Sequence, residues 1–360
     1  MNLSLGIVGL PNVGKSTLFN ALTKNDIPAE NYPFCTIDPN HGIVTVADER
    51  LNKIVEIEKP AKVTPAVVEF VDIAGIVKGA SEGEGLGNKF LANIREVSAI
   101  IHVVRAFHND NITHVENSVD PARDIELINT ELILKDLETL KQRKGQLEGK
   151  VRANPKDKPL MDFVIELENA LDSGKLANAV ATPNNDEIKI LRRELYLLTD
   201  KPVMYVVNSS EGNYEKDAAV IKEIVGEHMV LPIDIKTEAD LSTMTDQDRI
   251  EFMQALGLEM TGFELLTKSA YEMLGLISYF TSGETESRAW TIYKGTKAPA
   301  AAGVIHSDIQ DHFIAADVVS SEDFIEYGGW LKARDAGKVG LQGKEYVMRD
   351  GDVVLFKHNG

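Results

Sequence analysis

The chain is 360 residues long, 43% hydrophobic and 26% charged, with a net charge of −18; that length suits two or three domains, and the charge opposes nucleic-acid binding by the surface as a whole while leaving room for a local basic patch. One cysteine, Cys35, excludes an internal disulfide and suits a reducing cytosol. The apolar runs fall short of the roughly 18 residues a membrane span needs, and the N-terminus lacks a basic segment and cleavage site, so a cytoplasmic protein without signal peptide or membrane partner is expected.

Leu3 to Val8 reads as a buried parallel strand and Ser16 to Leu22 as the first turns of a helix. Between them, Gly9-Leu10-Pro11-Asn12-Val13-Gly14-Lys15-Ser16-Thr17 fits the phosphate-binding pattern G-x-x-x-x-G-K-[ST]. The two glycines let successive N–H groups converge, and the helix start adds unpaired donors and a positive dipole end. Lys15 would neutralise the β- and γ-phosphates, the backbone of Asn12, Val13, Gly14 and Thr17 would complete the cradle, and the Ser16 hydroxyl would ligate Mg²⁺.

Asn31 to Asn40, rich in proline and asparagine, reads as a loop. Thr36, 21 positions after Lys15, falls where a P-loop NTPase closes a switch threonine over Mg²⁺ and the γ-phosphate. Gly42 to Val46 and Ala66 to Val71 read as strands around a helix at Leu51 to Glu58. The second strand ends in Asp72-Ile73-Ala74-Gly75; Asp72 would hold Mg²⁺ through water, and the Gly75 N–H would meet the γ-phosphate. Five glycines between 75 and 87 mark a switch segment. A helix at Phe90 to Val97 and a strand at Ala99 to Val104 follow. In the class of Ras-like enzymes a glutamine just after D-x-x-G orients the attacking water; Ile76 stands there, so another group must act. On spacing alone His102, His108 and His114 are equally eligible.

From about Asp120 the period becomes helical: Ile125, Ile128 and Leu132, then Leu160, Val164, Leu167 and Leu171, then Ile188, Leu191 and Leu195. These predict long antiparallel helices with a turn region over 141–158, marked by Gly145, Gly149 and Pro155. That region holds seven Lys or Arg against Glu148 and Asp157, a net +5 in a chain whose remainder is then −23. Strands are expected at 201–207 and 229–235, completing the α/β domain near 275. Beyond Leu276, short strands, a helix near Ala298 to Ile309 and a last strand at Asp352 to Lys357 suggest a small mixed domain.

Taken together, these motifs, with Asn31 to Asn40, Asp72 to Ala80, Gly83 to Leu91, Asn208-x-x-Glu211 and Arg288-Ala-Trp-Thr, resemble the Obg-related YchF family, the Obg-like ATPases. The resemblance implies an α/β fold with a Ras-like P-loop NTPase core (1–122 and 200–275), an inserted coiled-coil hairpin (123–199) and a C-terminal TGS domain of β-grasp type (276–360). It implies ATP hydrolysis, a Mg²⁺ requirement met by Ser16, Thr36 and Asp72, and association with the ribosome and its RNA. No DNA sequence specificity is expected. It singles out His114 as catalytic beside Lys15 and Gly75, and Asn12 as a K⁺ ligand. Against the guanine-reading Asn-Lys-x-Asp, Asn208 is kept and would serve adenine N6 and N7, Ser209 replaces the Lys and Glu211 the Asp; the longer acid should miss guanine, so ATP is the expected substrate. The segment Pro232 to Lys236 departs from the base-contacting loop of the wider class and leaves the second wall of the pocket unassigned. The competing readings are a GTP-preferring translational GTPase, an RNA-binding regulator with weak NTPase activity, and a P-loop kinase, which the glycine-rich switch disfavours.

Overall fold

The computed structural model describes residues 3–24, 40–73, 86–107, 118–210, 212–255 and 257–359. In chain order the first half forms β1 (Ser4–Val8), α1 (Lys15–Thr23), β2 (His41–Thr45), α2 (Glu49–Glu58), β3 (Lys62–Thr64), β4 (Val67–Asp72), α3 (Leu86–Glu96), β5 (Ala99–Arg105), α4 (Pro121–Ala153), α5 (Lys158–Asp172) and α6 (Asp186–Leu195). The second half adds β6 (Val203–Asn208), α7 (Tyr214–Val225), β7 (Met229–Ile233), α8 (Ile235–Leu241), α9 (Asp246–Ala255), α10 (Gly262–Met273), β8 (Leu276–Ser282) and β9 (Glu286–Tyr293). It closes with α11 (Ala298–Ile305), α12 (Ser307–Asp311), β10 (Phe313–Ser320), α13 (Ser321–Tyr327), α14 (Trp330–Asp335), β11 (Gly340–Gln342) and β12 (Asp352–His358). The chain divides into two compact units: Met1–Gly42 with Glu69–Gly262, and Ile43–Val68 with Phe263–Gly360.

Among the described residues one six-stranded sheet has the order β2-β4-β1-β5-β6-β7. The run β4-β1-β5-β6-β7 is parallel throughout. Its central strands β1, β5 and β6 are buried along their whole length, which is why they read as unbroken apolar runs. Parallel strands share one carboxyl edge, where open α/β sheets bind ligands. Ile7 lies in register with Asp72 and Arg105 with Asn208. The loop after Val8, Asp72 and Asn208 therefore meet at that edge.

The inserted helices form an arm. α4 is 33 residues long, about 50 Å at 1.5 Å per residue. It starts with Pro121 behind an Asp120 cap, whose carboxylate accepts from the Arg123 N–H at 3.2 Å. Ile133, Leu140 and Leu147 repeat every seven positions and are buried with Phe163, Val164, Leu167, Leu171, Ile188 and Leu191 in a core of the arm's own. The turn read over 141–158 is confined to 154–157, because α4 continues through Gly145 and Gly149. Both glycines face open space, so they weaken the helix without interrupting the inner stripe that Leu147 extends.

The second unit is a mixed α/β layer with sheet order β11-β10-β12-β8-β9-β3 among the described residues. Its core gathers Tyr279, Ile292, Phe313, Val318 and Val354 under the alanines of α11; these small side chains let the helix approach until Tyr279 donates to the Ala301 carbonyl at 2.9 Å. Residues 43–68, which the sequence reading kept with the nucleotide domain, pack in this unit. The strand β3, missed in the sequence, pairs in parallel with β9. Arg50 binds Asp350 at 2.7 Å and the α2 cap Asp48 at 2.8 Å, and Asp350 accepts from the Ser278 N–H. The expected single helix at 298–309 breaks at His306, whose ring accepts from the Asp308 N–H and starts α12.

Candidate functional site

The loop from Gly9 to Gly14 owes its shape to three residues. Asn12 takes φ 63, a left-handed conformation that asparagine tolerates better than most side chains. Gly14 takes φ 108 and caps α1; a Cβ there would lie 2.6 Å from the Asn208 amide nitrogen. A Cβ on Gly9 would lie 2.6 Å from the Val103 carbonyl oxygen. The loop thus sits directly on β5 and β6, with the amino end of α1 behind it as an anion-binding end.

Lys15 is buried, and its ammonium donates to the Leu10 carbonyl at 2.8 Å. Burial lowers its pKa, and Asp72 opposes that shift. Phosphate oxygens would give this buried cation the counter-charge its surroundings call for. Ser16 and Thr17 are exposed at the helix start. The Ser16 hydroxyl donates to Asp72 Oδ2 at 3.2 Å. The other oxygen of that carboxylate, Oδ1, is buried and has no hydrogen-bond partner among the described residues. A hydroxyl and a carboxylate this close, with one oxygen of the pair unsatisfied, fit a hard cation such as Mg²⁺ that takes oxygen ligands.

Asn208 locks the loop to the sheet. Its Nδ2 donates to the Val13 carbonyl at 2.9 Å and its Oδ1 accepts from the Ile235 N–H at 3.3 Å. The sequence reading gave Asn208 to the base; the structure engages both ends of its amide with backbone, leaving one N–H hydrogen. Ser209 is buried and donates to the Asp217 carboxylate. The segment 232–236 runs from the end of β7 into the start of α8: Asp234 caps the helix by accepting from the Lys236 and Thr237 N–H groups, and Ile235 packs beside Gly14.

Thr36, Gly75, His108, His114 and Glu211 lie outside the described residues. His102 does not belong among the water-activating candidates. It is 3% exposed within β5, its ring tilted against Tyr205 at 5.2 Å. Burial, then the charge of Lys15, holds its pKa down to about 3, so it is neutral and sealed in the sheet. Sequence reasoning also missed Arg105, an arginine ending an otherwise apolar strand and 1% exposed. Its Nε donates to the Phe107 carbonyl at 3.1 Å, and its guanidinium lies 4.4 Å over the Phe107 ring. At the arm, Arg143 pairs with Glu194 at 2.8 Å and Lys144 with Glu168, whereas Lys141, Lys150, Arg152, Lys156 and Lys158 are exposed.

Residues 4–144 match a family model described as a 50S ribosome-binding GTPase. Residues 276–359 match the YchF GTPase C-terminal model, described as a protein of unknown function. The chain is 50% identical to the ribosome-binding ATPase YchF of Bacillus subtilis (strain 168), with both chains covered in full. It is 44% identical to Obg-like ATPase 1 of Gallus gallus, over 99% of this chain and 93% of that one. The solved Schizosaccharomyces pombe YchF GTPase superposes with a TM-score of 0.86 at 38% identity, covering 99% and 98% of the two chains.

Proposed function

This chain belongs to the YchF family of P-loop NTP hydrolases, and on that premise we propose that it is a Mg²⁺-dependent ATPase that acts as a switch on the ribosome. The observation that carries the reading is the placement of Lys15, Ser16 and Asp72 on one edge of the parallel sheet, with Ser16 Oγ 3.2 Å from the carboxylate. Ser16, Asp72 and Thr36 would hold Mg²⁺, which supplies charge neutralisation to the β- and γ-phosphates. Lys15 neutralises the same oxygens, and the N–H groups of residues 13–17 orient them. Asn12 stands where cation-dependent relatives hold K⁺, a second positive charge beside the phosphates.

His114 is the proposed water-positioning group, since Ile76 has no hydrogen-bonding atom on its side chain and His102 is sealed in β5. The exposed cations of the arm, Lys141, Lys150, Arg152, Lys156 and Lys158, are the proposed contact to ribosomal RNA phosphates. Single-turnover release of phosphate to water, without an added acceptor, tests the enzymatic reading. His114→Ala should leave ATP affinity nearly intact and lower kcat by roughly 10- to 1,000-fold, and K⁺ in place of Na⁺ should raise the wild-type rate. Phosphate released only when a small-molecule acceptor is present would favour a kinase instead.

A further inference from the structure

The base of the arm carries a cluster of charged and polar groups that the nucleotide site does not use. Lys201, on the segment returning from α6 to β6, donates its ammonium to the carbonyls of Arg95 at 3.1 Å and Val97 at 2.5 Å. Arg95 lies in the last turn of α3 and Val97 just past it, at the end of a helix that favours a cation. The Arg95 guanidinium reaches the Thr139 hydroxyl of α4 at 3.3 Å. Three positions earlier on α4, Asp136 is fully buried and accepts from the N–H groups of Leu198 and Thr199, both at 2.8 Å, and from the Thr199 hydroxyl at 2.7 Å. Arg192 of α6 grips the adjacent Asp200 at 2.6 Å. Helices α3 and α4 and the returning segment are thus tied at one point.

That point lies on the edge of the sheet opposite the nucleotide site. Ser98, just past α3, donates its N–H to the carbonyl of Ser4 at the start of β1, and the Pro202 carbonyl accepts from Ile100 at the start of β5. The other end of α3, Leu86, follows Asp72 by 14 positions. Val97, just past α3, is packed hard on β1: its Cγ2 lies 2.9 Å from where a Cβ on Gly6 would stand. α3 therefore runs from the nucleotide side of the sheet to the arm's base as a rigid rod of about 16 Å.

We propose that Arg95, Thr139, Asp136 and Lys201 couple the nucleotide site to the arm, with Lys201 as the positioning residue that makes the arm follow α3. A small shift of α3 at its nucleotide end must either carry Lys201 with it or break the two hydrogen bonds that its half-buried ammonium donates. The inference rests on the nucleotide-binding reading above. Coupling of this kind is reciprocal, so a ligand on the arm must also alter nucleotide affinity.

The test is hydrogen–deuterium exchange of the full-length chain, with Mg²⁺ and either ADP or a non-hydrolysable ATP analogue, beside calorimetry of the same nucleotides. In the wild type, amides at residues 121–147 and 196–202 should exchange at rates that differ between the two nucleotides on the order of fivefold. Lys201→Met should bind both nucleotides within about twofold of the wild type yet lose that difference; Lys201→Arg, which can reach the same carbonyls, should restore it. Thr139→Val removes the Arg95 contact, together with the hydroxyl's bond to the Lys135 carbonyl within α4, and should reduce the difference even if Lys201→Met does not fold. Equal exchange in both nucleotides in the wild type, or a difference that survives both Lys201→Met and Thr139→Val, would overturn the proposal. Calorimetry showing no nucleotide binding by the wild type would overturn the nucleotide reading itself, a separate result.

Discussion

The hydroxyl of Ser16 donates to the carboxylate of Asp72 across 3.2 Å, joining residues 56 positions apart. The contact brings the first residues of α1 against the end of β4 and leaves Asp72 Oδ1 buried without a partner among the described residues. An orphaned buried carboxylate oxygen costs about 1–3 kcal/mol unless something satisfies it. A bound cation would do so. ATP affinity should therefore fall when Mg²⁺ is replaced by EDTA, and Asp72→Ala should shrink that dependence to a few-fold. An equally large Mg²⁺ effect in the variant would remove Asp72 from the metal site.

Asn208 joins the phosphate loop to β6 and α8 through the Val13 carbonyl and the Ile235 N–H. Asn208→Ala strands both backbone groups at about 1–3 kcal/mol each. The loss acts on the loop, which serves any nucleotide. ATP and GTP affinities should fall together, by at least about tenfold. A loss confined to ATP would mean that Asn208 reads the base instead.

His102 makes stability depend on acid. Its folded pKa is held at about 3, against 6.5 for the free side chain, so the unfolded chain takes up a proton that the folded chain refuses. The stabilising contribution is complete above pH 6.5 and drains as the pH falls towards 3, at about 1.4 kcal/mol per pH unit. His102→Phe should flatten the fall in urea-unfolding free energy between pH 6 and 4 by that slope. Identical pH profiles for the two proteins would show that His102 is protonated in the fold.

The arm separates its cations into two groups. Arg143 and Lys144 are tied to Glu194 and Glu168, while Lys141, Lys150, Arg152, Lys156 and Lys158 are exposed. If the exposed five neutralise RNA phosphates, the logarithm of ribosome affinity should fall against log salt with a slope near −3 to −4. Neutralising those five should flatten the slope; neutralising Arg143 and Lys144 should chiefly loosen the arm. A slope unaffected by the five-fold variant points to another contact surface.

Features written in contiguous residues are legible in the sequence. The phosphate loop shows itself because its glycines, Lys15 and Ser16 occur within nine positions and behind an apolar strand. The arm shows itself through a repeat that only a helix pair satisfies. What was illegible depends on partners far away. Arg50 meets Asp350 across 300 positions, and β3 finds β9, so no local pattern assigns residues 43–68 to the second unit. Gly145 and Gly149 looked like a turn because sequence does not say which side of a helix faces solvent. His102 looked like a candidate base because a histidine in a strand carries no mark of its burial. Lys201 carried no signal at all, since its partners are backbone carbonyls.

The central claim is that this site hydrolyses ATP in preference to GTP, because Glu211 is one methylene too long to accept from both guanine donors and Ser209 is turned to Asp217. Titration calorimetry of the full-length chain with MgATP and MgGTP measures that preference directly. The account predicts tighter ATP binding by at least about tenfold; equal affinities, or tighter binding of GTP, would contradict it.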